Sequence, residues 1–254
     1  MDKVVVNSLW IGPSLTRLER ASIQSYIDTG HEFHLHTYED VKNVPVDCII
    51  KDANLIMKEK EIFKIKDTCI SFSDIWRFKM LYELGGYWVD LDMIALKKLD
   101  FKEDFVMASE RTIQRGAYKN KLPFVSQVAV LKAPPHSHFY LSLYEKCVKH
   151  CKRYVNNQDT LKYMKIFRQH IIAHGLEGCV KGPEVFCNLD WWHTKEIFYN
   201  QPYKTKYGVE PNDNLLGGYS IHFWRQITRK YKMDLNASYH EDSLYEKLLR
   251  RHNC

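Results

Sequence analysis

Apolar residues run without a break from Val4 to Val6 and resume at Leu9 and Trp10, so Lys3 to Trp10 predicts a buried first strand. Ile11-Gly12-Pro13-Ser14 then reads as a turn that delivers Ser14 as the cap of a helix running to Gly30. Phe33 to Tyr38 alternates in the manner of a strand, and the short apolar run Val46 to Ile50 predicts another. Strand, turn, helix and strand together form an α/β opening.

The stretch from Ser71 to Gly86 predicts a helix marked at both ends, with Ser73 capping its start and Gly85 closing it in the left-handed conformation. After Gly86 the period changes to two. Tyr87, Val89, Leu91 and Met93 fall on one face, and Trp88, Asp90, Asp92 and Ile94 fall on the other. Further along, Val128 to Leu131 predicts a strand ended by Pro134-Pro135, and Phe139 to Tyr154 a helix. Gly182-Pro183 breaks the chain, Tyr219 to Trp224 is a late apolar and aromatic segment, and a charged tail turns helical from Ser243.

Length adds one constraint: 254 residues can bury a full core without disulfides or a structural metal, so residues 1–254 are expected to form a single domain, with 225–254 as a charged, helical C-terminal segment. No stretch approaches the roughly 18 consecutive apolar residues of a membrane span. The N-terminus has no secretory apolar region. Seven scattered cysteines, an odd number, predict free thiols and a cytoplasmic location. The net charge of +6 concentrates in 146–153, 225–232 and 247–251. Such segments are solvated surface or contacts for anionic lipid, a phosphate-bearing acceptor or nucleic acid.

The candidate chemistry lies in Asp90-Leu91-Asp92. Two aspartates one residue apart on an extended segment stand roughly 6 to 7 Å apart at Cα and point the same way. They can share one hard divalent cation, Mn2+ or Mg2+, while leaving positions for water and substrate phosphates. Sixteen aspartates in the chain would give about one such pair by chance, so its setting after an apolar strand and a Gly-Gly helix stop carries the inference. Asp74 and Arg77, one helical turn apart, share a face near the start of that helix.

Ser73-Asp74-Ile75-Trp76-Arg77 through Leu84-Gly85-Gly86-Tyr87-Trp88-Val89-Asp90-Leu91-Asp92 resembles the sugar-binding, DxD-containing region of the capsular-polysaccharide and α-1,4-glycosyltransferase group, which is related to the glucosylating clostridial toxins. Trp10-Ile11-Gly12, Ser126-Gln127-Val128-Ala129-Val130 before Ala133-Pro134-Pro135, Gly182-Pro183 and His222-Phe223-Trp224 are similar to later and earlier motifs of that group. Gln127 stands where Asn is usual, and the closing motif is compressed. The resemblance implies a GT-A fold, a Rossmann-like mixed sheet flanked by helices, and retaining transfer from a nucleotide sugar, UDP-linked by that resemblance. It assigns Trp10, with Ile11 and Gly12, to the base, and Asp74 and Arg77 to the sugar and ribose side. Asp90, Asp92 and His222 would position the metal and Trp224 would cover the pyrophosphate, with Asp74 and Gln127 nearest the reacting carbon.

Three acceptors fit: a glycan as in polysaccharide biosynthesis, a lipid-linked glycan met by peripheral membrane contact, or a protein side chain. A phosphohydrolase of the haloacid dehalogenase type also uses an Asp-x-Asp after a hydrophobic strand, but its pair lies near the N-terminus and a later acidic pair follows. A glycosidase needs carboxylates on opposite sides of the scissile bond. A basic nucleic-acid-binding module would carry a motif that this sequence lacks.

Overall fold

The computed structural model describes residues 3–65, 67–112, 124–154, 161–204, 206 and 214–254. A six-stranded sheet in the order β3-β2-β1-β4-β7-β6 is its centre. Strands β1 (Val4–Trp10), β2 (His31–Thr37), β3 (Ile49–Asp52) and β4 (Gly86–Val89) run parallel. Strand β7 (Phe124–Ala133) is antiparallel to both β4 and β6 (Val106–Arg111), which makes the sheet mixed. The order reverses direction between β1 and β4, and ligands of open α/β sheets bind outside the carboxyl ends of the strands at such a switch point.

Helix α1 (Arg17–Asp28) begins at Thr16 rather than Ser14. Thr16 and Glu19 close a capping box, with the Thr16 amide and hydroxyl both donating to the Glu19 carboxylate. Ser14 instead bridges to Lys42. The third strand is shifted towards the C-terminus of the run Val46 to Ile50, because Ile49 to Asp52 is the stretch that reaches β2.

Helix α2 (Ile70–Glu83) is buried over most of its length, with Phe72, Ile75, Trp76, Phe78, Met80 and Leu81 in the core beside buried Asp74 and Arg77. It starts at Cys69, so Ser73 is an interior residue and not its cap. Helices α3 (His138–Tyr154) and α4 (Leu161–Ala173) continue the same layer, α2 packing on α3 and α3 on α4. On the opposite face α1 packs against β2. Helix α4 has no counterpart in the sequence reading.

The expected extended segment after Gly86 breaks at its aspartates. Asp90 N–H still donates to Ala129 C=O at 2.8 Å, but Met93 N–H then closes on Asp90 C=O at 3.1 Å. Asp90-Leu91-Asp92 is therefore a turn. Beyond it β5 (Met93–Ala95) leaves the main sheet and pairs with β8 (Ser220–His222). Short helices α5 (Pro183–Phe186) and α6 (Thr194–Tyr199) lead to β8, and α7 (Arg225–Lys230) follows it. Gly182 and Pro183, read as a break, are the cap and first residue of α5. Helix α8 (Leu244–Arg251), capped by Ser243 Oγ, buries Tyr245, Leu248 and Leu249. Arg17 holds it through both oxygens of Glu246, at 3.0 and 2.9 Å.

Gly85 couples α2 to the strand that carries the aspartates. Its φ is +63°, and an added Cβ would lie 2.5 Å from the Pro135 backbone nitrogen. Gly85→Ala adds left-handed strain of about 1–2 kcal/mol to an overpacking cost of about 1–3 kcal/mol. Urea titration is expected to show the sum, and an unchanged midpoint would contradict it.

Candidate active site

Helix α2 brings two charged side chains into a buried layer, and neither is left alone. Arg77 is only 4% exposed and Asp74 6%. The Arg77 guanidinium meets Asp74 Oδ1 at 3.1 Å and Asp90 Oδ1 at 2.8 Å, and it donates to Val128 C=O at 2.9 Å. It also lies 4.6 Å over the Trp88 ring, whose Nε1 donates to the same Asp90 oxygen at 2.8 Å. A buried guanidinium needs such a set, since an unpaired charge there would cost several kcal/mol.

Asp92 is held from the other side. His222 Nε2 donates to its Oδ2 at 3.1 Å and Arg225 N–H at 2.7 Å. The pairing of Met93 with His222 across β5 and β8 sets this contact, and Phe223 N–H donates to Asp92 C=O at 2.8 Å. His222 Nδ1 faces Cys187 Sγ at 3.9 Å, and the ring stacks on Trp224 with centroids 3.9 Å apart. Trp224 takes a left-handed φ of +53° and donates its Nε1 to Leu189 C=O at 2.9 Å, so a bulky residue is kept in a strained conformation beside the aspartates.

Electrostatics differ between the two aspartates. Burial pushes Asp90 up, and Asp92 adds to this while Arg77 opposes it. Burial acts the same way on Asp92, but His222 and the Arg225 amide outweigh it and hold Asp92 down at about 2. Asp74, raised first by burial and then by Asp90, lies at about 6 despite Arg77. Burial opposes the charged form of His222, yet Asp92 raises that group well above its ordinary value.

A cleft of about 520 Å³ takes in Trp10, Asp74, Arg77, Asp90, Asp92, Gln127, His222 and Trp224. Ile11 and Gly12 are not among its lining residues; Ile11 packs on the core and Gly12 backs the Trp10 ring. The Gln127 amide is committed on both sides, Nε2 to Cys187 Sγ at 3.0 Å and Oε1 to Ala129 N–H at 2.6 Å. Arg225 stands 4.7 Å over the Trp10 ring and pairs with Glu19 at 3.1 Å. Sequence reasoning passed over Trp88, Glu110, Arg168, Trp191 and Arg225, all of which line the cleft. Only Trp88 carried a signal, since period two placed it on the face of Asp90.

The donor set fits a hard cation through two residues. Asp90 and Asp92 each commit one oxygen to the protein, and their remaining oxygens, Asp90 Oδ2 and Asp92 Oδ1, have no protein hydrogen bond among the described residues. His222, the expected third ligand, has its Nε2 on Asp92 Oδ2 at 3.1 Å. Among the described residues no group of three or more His, Cys, Asp or Glu side chains is arranged to hold a metal ion.

The Asp92 contact favours the charged imidazole, so the folded state binds the His222 proton more tightly than the unfolded chain does. That contribution to stability is fully present below the unfolded value of about 6.5 and is lost as pH rises through the folded one. In the wild type with chelator present, NMR is expected to find His222 protonated at pH 7. In Asp92→Asn it is expected to titrate at lower pH, and equal titration in the two proteins would contradict the assignment.

Residues 17–113 match the family model described as a glycosyltransferase sugar-binding region containing a DXD motif. That span runs from the start of α1 past the end of β6 and contains Asp74, Arg77, Asp90 and Asp92. No curated protein matches the sequence. Among solved structures, one titled PaToxG Glycosyltransferase superposes with a TM-score of 0.50 at 12% identity, over 69% of this chain and 72% of that one. That similarity bears on the fold, a mixed α/β sheet flanked by helices of the GT-A type. Residues 17–113 thus match a glycosyltransferase sugar-binding region containing a DXD motif, carried on a fold of the GT-A type.

Proposed function

We propose that the enzyme takes its sugar from a nucleoside diphosphate donor, UDP-linked, and that Asp90 and Asp92 hold one manganese or magnesium ion against the pyrophosphate. The observation that carries this reading is the pair of oxygens, Asp90 Oδ2 and Asp92 Oδ1, left without protein partners in one cleft while their sister oxygens are anchored. Oxygen donors from two carboxylates, with room for phosphate and water, suit a hard divalent cation. When bound, such an ion offsets the negative charge that develops on the departing diphosphate.

The chain's own residues supply the remainder. Arg77 fixes the Asp90 carboxylate and His222 fixes that of Asp92, so neither has to reorganise when the donor arrives. Trp10 offers an aromatic ring at the end of β1 for the base, and Trp224 covers the diphosphate from the closing segment. Asp74, buried one helical turn from Arg77, is the carboxyl nearest the sugar hydroxyls in this arrangement. Among the described residues no helix is long and apolar enough to cross a membrane. A lipid-linked acceptor would therefore be approached through basic residues such as Arg229 and Lys230 on α7.

Calorimetry with UDP tests the donor site. Wild-type protein is expected to bind UDP in a manganese-dependent way, and Asp92→Asn to weaken that binding by at least about tenfold with its melting transition retained. UDP binding that is indifferent to manganese, or equal in the variant, would contradict the proposal.

A further inference from the structure

Across the carboxyl edge of the sheet the strands run β1, β4, β7, β6, so Trp10, Asp90, Gln127 and Glu110 follow one another in that order. Neighbouring strands are roughly 4.8 Å apart, which puts β6 roughly 10 Å beyond β4. A nucleotide sugar anchored at Trp10 and at the aspartates would lay its sugar over β7. Glu110 belongs to what lies past that sugar.

Glu110 lines the cleft half-buried, and no hydrogen bond or ion pair engages its carboxylate among the described residues. Burial pushes its pKa up, partly offset by the charges of His222 and Arg168. Arg168 reaches the same cleft from α4, its Nε donating to Ser126 C=O at 3.1 Å. The two side chains feel each other's charge without forming an ion pair. A desolvated carboxylate with no donor costs free energy that a ligand hydroxyl would return.

Trp191 completes the wall. Arg111, next to Glu110, pairs with Asp190 at 3.0 Å and so ties the turn 191–193 to the end of β6. Trp224 Nε1 ties the residues just before that turn to the closing segment through Leu189 C=O. The Trp191 ring lines the cleft and meets Trp192 edge-on, with centroids 5.3 Å apart at 79°.

We propose that Glu110 and Arg168, beside the ring of Trp191, form the acceptor subsite, and that the acceptor is a carbohydrate. An aromatic face takes the C–H face of a pyranose, while a carboxylate and a guanidinium take its hydroxyls from opposite sides. A phosphate-bearing acceptor would meet the like charge of Glu110. The assignment rests on the nucleotide-sugar reading, because the donor defines which side of the cleft is left for the acceptor.

Saturation-transfer NMR on the full chain, loaded with UDP and manganese, tests it with the methyl α-glycosides of glucose, galactose, mannose and N-acetylglucosamine. At least one glycoside is expected to bind wild-type protein, with its signal reduced about fivefold or more in Glu110→Gln and in Arg168→Met. Calorimetry on the same samples reads UDP separately and is expected to show its binding retained in both variants. No glycoside bound by the UDP-loaded wild type, or equal binding by wild type and both variants, would overturn the subsite and turn attention to lipid or protein acceptors. Loss of UDP binding in the wild type would instead overturn the donor reading, and this assignment with it, through a separate measurement.

Discussion

Everything in the cleft is arranged around one buried guanidinium. Arg77 comes from the buried side of α2, and it is tolerated there because two carboxylates, a backbone carbonyl and an aromatic ring surround it. Removing one partner from such a set costs about 3–5 kcal/mol, because a buried charge is left uncompensated. The same contacts join α2 to the turn after β4 and to β7. The helix, the aspartate turn and the neighbouring strand are thus one unit, and the position of Asp90 follows from the packing of α2.

Charge accounts for the rest. Asp74, Asp90 and Asp92 are three carboxylates in a confined space, and Arg77 and His222 are the cations bonded to them. Burial is the first cause of the raised values of Asp74 and Asp90, opposed by Arg77 and reinforced by the neighbouring carboxylate. Asp92 remains ionised because the small sheet of β5 and β8 delivers His222 and the Arg225 amide to it. A turn that leaves the main sheet is what makes this second sheet possible, and it explains why the closing segment, 130 residues away in sequence from Asp92 at His222, completes the site.

Much of this was legible in the sequence wherever the signal was local. Gly85 marked the end of α2, and Asp74, Arg77, Asp90 and Asp92 were readable as a spaced set, of which the fold joins Asp74 and Asp90 to Arg77 and places Asp92 in the same cleft. The helix expected from Ser14 starts instead at Thr16, which stands at capping-box spacing from Glu19. Period two ran straight through the aspartates because turn and strand look alike over three residues. Other features had no local trace. Glu110, Arg168 and Trp191 come to line one cleft only through the antiparallel insertion of β7 and the docking of α4, and the bond of His222 to Asp92 depends on the pairing of β5 with β8.

The central claim is that two anchored carboxylates present their remaining oxygens to one cation and a diphosphate. A crystal structure of the protein grown with UDP and manganese, with data collected at the manganese absorption edge, tests it most directly. The account predicts an anomalous peak roughly 2 Å from one oxygen each of Asp90 and Asp92, in contact with the UDP phosphates, with Arg77 still on Asp90. UDP bound in the cleft with no such peak, or a peak ligated by other residues, would contradict it.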